Sequence, residues 1–105
     1  MHLNLNNSII NIKVCKNFKD RLIGLMFKKN IIKGYLFPNC NSIHTFFMKE
    51  KIDVLLLDKD YKILFIYINL SPWKIILPKK NVCNILELPN NSCKNLKINQ
   101  KIKIS

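Results

Sequence analysis

A thiol and an imidazole lie close together in the sequence, at Cys40 and His44. A thiolate beside an imidazole can act as a nucleophile with its base, and both side chains also bind soft metals. The sequence shows no third residue to orient the pair, and it contains two histidines in all. A structural interpretation therefore stands beside the catalytic one, in which His44 caps its loop through a hydrogen bond to the backbone. We favour the structural role, because Cys and His without a surrounding motif are often near each other in sequence.

Three further side chains are expected beside this pair. Ser42 and Thr45 offer hydroxyl groups that line the same pocket as hydrogen-bond donors, or that cap the local turn. Trp73 is the single tryptophan, and it either rims a ligand pocket or partner surface, or plugs one end of a β-barrel. The candidate site is therefore the mouth formed by residues 40 to 45 and the loop that carries Trp73.

The same stretch predicts a β-hairpin, because two short apolar runs flank a largely charged loop at residues 49 to 52. In a regular hairpin Met48 faces Asp53, and His44 lies roughly 13 Å from Asp53 along the sheet, which excludes a direct His–Asp pair. Asp53 then stands among apolar neighbours and needs a partner. Arg21 is the single arginine, and we predict a structural ion pair between Arg21 and Asp53.

Apolar patterns elsewhere predict the elements that hold this site. Residues 9 to 15 alternate as a half-buried strand, with Leu3 and Leu5 in position to extend it or to pair with it. Residues 62 to 69 form a strand at the centre of the sheet. Asn17 begins a predicted helix that ends near Lys28. Further strands are expected at residues 34 to 37, 82 to 88 and 101 to 104.

Many short strands with one early helix predict a mainly β (α+β) protein. We expect a small antiparallel β-barrel or sandwich with that helix packed on it, in a single domain over residues 1 to 105.

Glu87 alternates with apolar neighbours and is expected on the outward face of its strand. There it is solvated, or it contacts a lysine or a cationic partner.

The chain is strongly basic, with a formal net charge of +12 at pH 7. Lysine supplies all but one of its eighteen basic residues. Such a charge is typical of proteins that bind nucleic acid or a membrane surface. The lysines are spread along the whole sequence, however, and A/T-rich codon usage explains the excess of Lys, Ile and Asn together. Nucleic-acid binding through a lysine-rich surface is therefore an alternative function rather than the first expectation.

Neither a membrane span nor an export signal is predicted. No apolar run approaches the ~20 residues that a spanning helix needs, and the first residues lack the basic head and apolar segment of a secretory signal. We expect a cytoplasmic protein with no membrane partner and with reduced thiols.

The four cysteines form no C-x-x-C pair, and we predict no metal and no cofactor. Cys15 and Cys83 are expected to be small buried side chains in strands.

Three short motifs occur in a fixed order. Residues 21 to 26 read R-L-I-G-L-M, residues 48 to 53 read M-K-E-K-I-D, and residues 86 to 89 read L-E-L-P. In this order they resemble the family catalogued as domain of unknown function 192, and the resemblance extends from about residue 12 to residue 104. It implies no reaction and no partner, because that family is uncharacterised.

The chain departs from the family's pattern at three turns. Tyr61 stands where the family usually has glycine, which leaves the turn type open. Asn91 lies in another turn where the family has glycine, and asparagine is the next-best residue for a left-handed conformation. Asn99 and Gln100 replace the family's Gly-Asp, so any chemistry that this aspartate performs in relatives is missing here.

We expect a binding or accessory module for a protein partner or a small ligand, neither of which the sequence names. An enzyme or metal site at Cys40 and His44 is one alternative, and nucleic-acid binding is another. The sequence contains no recognisable catalytic motif, so enzymatic activity is left open.

Overall fold

The computed structural model describes residues 1–5, 8–16 and 31–104, and within these ranges the chain is mainly β. The described ranges contain no helix, and therefore none long and apolar enough to cross a membrane. The predicted helix from Asn17 to Lys28 lies outside the described residues. The strands are β1 (His2–Leu5), β2 (Ser8–Val14), β3 (Gly34–Pro38), β4 (Ile43–His44), β5 (Ile52–Leu57), β6 (Ile63–Leu70), β7 (Ile75–Ile76) and β8 (Asn84–Pro89).

Six strands form one sheet in the order β1-β2-β3-β8-β5-β6, and β4 pairs with β7 in a separate two-stranded sheet. β2 and β3 run parallel, and the long connection of residues 15–33 allows this. The other neighbouring strands are antiparallel. β1 pairs with β2, so Leu3 and Leu5 take the second of the two predicted arrangements and do not extend β2.

The predicted antiparallel barrel is wrong, because the sheet is mixed and open. β1 and β6 are its two edges. The C-terminal segment, which was expected to close the fold as a strand, makes isolated bridges instead: Ile104 with Leu3, and Lys101 with Lys62. Among the described residues, these single bridges leave most of both edges without a neighbouring strand.

β5 is the most deeply buried strand, and all six of its residues are buried. It pairs with β6 on one side and with β8 on the other. Leu55 and Leu57 pack in the hydrophobic cluster on one face of the sheet, whereas Val54 and Leu56 pack in the cluster on the opposite face. The continuous apolar run of β5 therefore fits a strand that is covered on both faces.

The predicted hairpin from Cys40 to Asp58 does not form. β4 pairs with β7, which places His44 opposite Ile75, and Met48 does not pair with Asp53. β4 offers only two residues for pairing, whereas β6 and β8 each pair along most of β5. The longer ladders bury more apolar surface, and they therefore determine the neighbours of β5. β6 is an edge rather than the predicted central strand.

Asp53 is fully buried, and the backbone supplies its partners. Its Oδ1 accepts a hydrogen bond from the Asn69 N–H at 3.1 Å, and its Oδ2 accepts one from the Cys93 N–H at 3.0 Å. The carboxyl group thus fastens the end of β6 and the loop after β8 to β5. The predicted ion pair with Arg21 stays a prediction, because Arg21 lies outside the described residues.

Several turns are built from residues with left-handed backbone conformations. Of the eight non-glycine residues with positive φ in the described ranges, five are asparagines. Asn91 has a φ of 69°, which confirms the predicted left-handed turn, and Asn99 has a φ of 72°. Tyr61 has a φ of 64° and so keeps the conformation that glycine favours. The remaining two, Phe47 and Trp73, belong to the candidate site.

Replacing Asp53 with asparagine keeps the shape of the side chain but turns one acceptor into a donor that faces a backbone N–H. We expect Asp53→Asn to lower the free energy of unfolding by about 1–3 kcal/mol, measured by urea titration with circular dichroism. Asp60→Asn removes the same charge at an exposed residue and should stay within about 0.5 kcal/mol of the unmodified chain. Equal stability of the two variants would contradict the role assigned to Asp53.

Candidate functional site

Thr45 joins the two loops that carry the candidate residues, and its side chain is buried. Its Oγ1 donates a hydrogen bond to the Ser71 carbonyl at 2.8 Å and accepts one from the Lys74 N–H at 2.8 Å. Its own N–H donates to the Lys74 carbonyl at 2.8 Å, and its carbonyl accepts from the Trp73 N–H at 3.0 Å. Every polar group of Thr45 is therefore engaged by the protein itself. The hydroxyl is a clamp between the loops rather than a donor for a ligand.

The clamp brings four rings together. The ring centroids of His44 and Phe46 are 5.0 Å apart, those of Phe46 and Trp73 are 5.6 Å apart, and those of Phe47 and Trp73 are 4.8 Å apart in an edge-to-face contact. We call His44, Phe46, Phe47 and Trp73 the aromatic cluster. His44, Thr45 and Trp73 were predicted to lie together and do so, whereas sequence reasoning missed the two phenylalanines.

Phe47 and Trp73 combine solvent exposure with an unfavourable backbone conformation. Their side chains are 45% and 60% exposed, and their φ angles are 61° and 65°. A positive φ is an outlier for a bulky residue and costs about 1–3 kcal/mol. Burial of these rings offsets only part of that cost, because much of each ring faces water. Strain of this kind persists where surrounding contacts impose it and is concentrated at functional sites.

Cys40 and His44 each bond to the nearby backbone. The Cys40 Sγ donates to the Ser42 carbonyl at 3.1 Å, so Ser42 contributes its main chain here. The His44 Nδ1 accepts a hydrogen bond from the Phe46 N–H at 3.2 Å, which is the local backbone contact expected for a structural His44. No hydrogen bond joins this thiol to this imidazole in the described part of the chain. Nor do the described residues include three His, Cys, Asp or Glu side chains grouped to hold a metal ion.

The other three cysteines differ in burial. Cys15 is buried as predicted, although it follows the last residue of β2 rather than lying in the strand. Cys83 is half-buried and precedes β8, so both its predicted burial and its predicted place inside a strand are wrong. Cys93 is fully buried. Burial, together with the nearby Asp53 carboxyl group, raises the pKa of the Cys93 thiol to about 12. That thiol therefore stays protonated and unreactive at neutral pH.

Glu87 is buried, with 4% of its surface exposed, and the predicted outward, solvated position is wrong. It lies in β8 opposite Tyr35 of β3 and Val54 of β5. β8 is an inner strand, and both faces of the sheet are covered there. Successive side chains of β8 therefore point to one buried face or the other, and none points into water. Burial raises the pKa of the Glu87 carboxyl group from 4.5 to about 8, so the neutral acid predominates at pH 7.

The raised pKa of Glu87 makes the stability depend on pH. An acid with a higher pKa in the folded state stabilises the fold fully below its unfolded pKa, and the contribution is lost as pH rises toward the folded pKa. With values of 4.5 and about 8, the melting temperature should fall between pH 5 and pH 8. Glu87→Gln has no such titration, so its melting temperature should fall less over this range. Parallel curves in scanning calorimetry would contradict a buried, titrating Glu87.

Thr45→Val removes the clamp hydroxyl while keeping the shape of the side chain. Because the Ser71 carbonyl and the Lys74 N–H each lose a partner, we expect a loss of about 1–3 kcal/mol in the free energy of unfolding. We also expect stronger quenching of Trp73 fluorescence by acrylamide. Thr45→Ser keeps the hydroxyl and should keep the quenching of the unmodified chain. Unchanged quenching in Thr45→Val would show that the hydroxyl does not position Trp73.

Comparison of sequences shows a family relationship. The profile of the DUF192 family, described as "Uncharacterized ACR", matches residues 1–105. A UPF0127 protein from Pyrococcus horikoshii is 35% identical over 91 residues, which cover 82% of this chain and 78% of the relative.

Two solved structures share the fold. A protein of unknown function from Novosphingobium aromaticivorans has a TM-score of 0.79 at 14% identity, covering 98% of this chain and 82% of that one. A protein described as a candidate transcription regulator from Sinorhizobium meliloti has a TM-score of 0.80 at 20% identity, covering 97% of this chain and 89% of that one. Likeness at these identities establishes the fold and assigns no function.

Proposed function

From the premise that this chain belongs to the uncharacterised DUF192 family, we propose that it is a binding module whose contact surface is the aromatic cluster. One observation carries the proposal: Phe47 and Trp73 touch each other, are both exposed, and both hold a positive φ. A fold gains little stability from such an arrangement, whereas a binding surface gains two large apolar faces at fixed positions.

The surroundings of the cluster favour a protein partner with apolar side chains. Ile75, which lies opposite His44, is 59% exposed. Exposed apolar side chains next to aromatic ones are typical of contact sites in protein interfaces, where Trp is enriched among the residues that dominate affinity. The Thr45 clamp holds Trp73 in place before binding, which reduces the entropy lost on association. The four free cysteines support action in a reducing compartment such as the cytoplasm.

Nucleic-acid binding is the second candidate, and the aromatic cluster itself favours it. Single-stranded nucleic acids stack their bases on exposed aromatic rings beside positive charges. The sequence shows a net charge of +12 but does not show which aromatic rings are exposed. In the structure Phe47 and Trp73 are exposed. Binding of this kind weakens steeply with added salt, whereas contact between apolar side chains does not.

The enzyme or metal site at Cys40 and His44 is a third candidate and stays a prediction. Cys40→Ser separates it from the binding proposal. This substitution removes the thiol and should leave binding at the aromatic cluster intact, whereas it would abolish thiol chemistry.

Selection from a random peptide library tests the proposal. Peptides retained by the unmodified chain and not by Trp73→Ala should be rich in apolar and aromatic residues. Because Trp73 is the single tryptophan, its fluorescence reports binding to the unmodified chain and to Ile32→Ala, whereas binding to Trp73→Ala is measured by the fluorescence anisotropy of a labelled peptide. We expect Trp73→Ala to weaken binding at least about 30-fold, the effect of a dominant interface residue. Ile32→Ala, at a side chain that is 84% exposed and outside the cluster, should bind like the unmodified chain.

Two outcomes would contradict the proposal. In the first, no peptide is enriched, or the enriched peptides bind Trp73→Ala as well as the unmodified chain. In the second, a twelve-nucleotide oligo(dT) quenches Trp73 fluorescence with an affinity that falls steeply with salt. That result would put the nucleic-acid candidate in place of the protein-binding one.

A further inference from the structure

Cys40 and Cys83 lie side by side at one end of the six-stranded sheet. The Cys40 N–H donates a hydrogen bond to the Cys83 carbonyl at 2.9 Å, just beyond Pro38 and Asn84, which are the last paired residues of β3 and β8 at this end. With standard backbone bond lengths, this contact holds the two Cα atoms within roughly 7 Å of each other. Disulfides require a Cα separation below about 7 Å, so the two main chains already meet this condition.

Both thiols contact loops that leave the sheet at this same end. The Cys40 Sγ donates to the Ser42 carbonyl at 3.1 Å, and the Cys83 Sγ donates to the Asn81 carbonyl at 3.7 Å. Because β3 and β8 are antiparallel, the residues that follow β3 and those that precede β8 lie beyond the same end of the pair. A thiol is a weak hydrogen-bond donor, so little is lost when either sulfur atom leaves its carbonyl.

Burial distinguishes these two cysteines from the other two. Cys40 and Cys83 are half-buried and reach solvent, whereas Cys15 and Cys93 are buried. Thiol–disulfide exchange needs a thiolate that an oxidant can reach. Burial raises the pKa of the Cys93 thiol to about 12, which keeps that thiol out of the reaction. The fold therefore leaves two accessible thiols, and it holds them next to each other.

We propose that Cys40 and Cys83 form a reversible disulfide when the protein meets a small disulfide oxidant such as oxidised glutathione. One cysteine thiolate attacks the oxidant, which forms a mixed disulfide and releases one reduced glutathione. The second cysteine then attacks the protein sulfur of the mixed disulfide, which forms the bond between Cys40 and Cys83 and releases a second reduced glutathione. Each cysteine proton passes to a departing glutathione, and two electrons pass from the protein to the oxidant. An excess of small thiol reverses both steps.

The disulfide closes the part of the chain that carries the aromatic cluster. The segment from Cys40 to Cys83 includes β4, β7 and the loop with Trp73. A bond across so long a segment restricts the unfolded chain more than the folded one, so the oxidised form should be the more stable. Oxidation also removes the proton that Cys40 donates to the Ser42 carbonyl, directly before β4. The pair therefore gives Cys40 a partner other than His44, and it makes the stability of this segment depend on the redox state.

Treatment of the folded, unmodified chain with oxidised glutathione tests the proposal. The chain is then unfolded, and the remaining thiols are blocked with iodoacetamide. Cleavage after lysine and glutamate places each of the four cysteines on its own peptide, so mass spectrometry identifies every link. We expect the Cys40 peptide joined to the Cys83 peptide, with Cys15 and Cys93 alkylated. The oxidised chain should melt about 5 °C or more above the reduced chain, and excess dithiothreitol should reverse the shift.

Cys40→Ser and Cys83→Ser are matched controls, because each leaves one of the two thiols without its neighbour. Each variant should keep glutathione as a mixed disulfide on the remaining thiol, whereas the unmodified chain should release it. The proposal would be overturned if the unmodified chain stayed reduced, stopped at the mixed disulfide, linked a different pair of cysteines or joined two chains. A linked chain that melts below the reduced one would overturn it as well. The peptide mapping uses the unmodified chain and so does not depend on a variant folding.

Discussion

The burial of the Asp53 carboxyl group is the constraint on which the rest of the structure depends. β5 lies between β6 and β8, and Asp53 accepts one backbone N–H from Asn69 at the end of β6 and another from Cys93 after β8. An unsatisfied polar group in this position would cost about 1–3 kcal/mol, so both contacts are strongly specified. They fix the point at which the chain leaves β6 and enters the loop that carries Trp73.

Thr45 then fixes the loop itself. Its hydroxyl and main chain form hydrogen bonds with Ser71, Trp73 and Lys74. The buried Asp53 carboxyl group therefore fixes where the loop after β6 begins, and the buried Thr45 hydroxyl fixes the conformation of that loop. The exposed rings are held by polar contacts beneath them rather than by their own burial. This explains how Trp73 keeps a positive φ angle, and it gives a binding surface that is ordered before a partner arrives. Phe47 keeps its positive φ in a turn that the Met48 N–H closes by donating to the Thr45 carbonyl at 3.3 Å.

Residue patterns predicted the strands near residues 9 to 15, 34 to 37 and 82 to 88, because alternation and turn residues are local signals. The same patterns did not predict which strands pair with each other in the sheet. The hairpin from Cys40 to Asp58 was wrong because periodicity says that a strand exists, not which strand it pairs with. β6 was predicted at the centre of the sheet for the same reason. Glu87 was predicted to be solvated because its alternation with apolar residues was taken to mean that one face of its strand is exposed to water.

The candidate site divides in the same way. His44, Thr45 and Trp73 were predicted to lie together, in a mouth formed by residues 40 to 45 and the loop that carries Trp73. Phe46 and Phe47 were missed, although two adjacent aromatic residues after Thr45 were a visible signal. Their conformation could not be predicted, since the preference of bulky residues for negative φ argues against it. Asn91 could be predicted, because asparagine tolerates the left-handed region.

Amide hydrogen exchange at Trp73 and Lys74 tests most directly whether the aromatic cluster is held in place. Both N–H groups donate to Thr45, one to its carbonyl and the other to its hydroxyl. If the clamp orders the cluster, these two amides should exchange as slowly as those of the inner strands, although the Trp73 ring is 60% exposed. Exchange at the rate of an open loop would contradict a preformed binding surface.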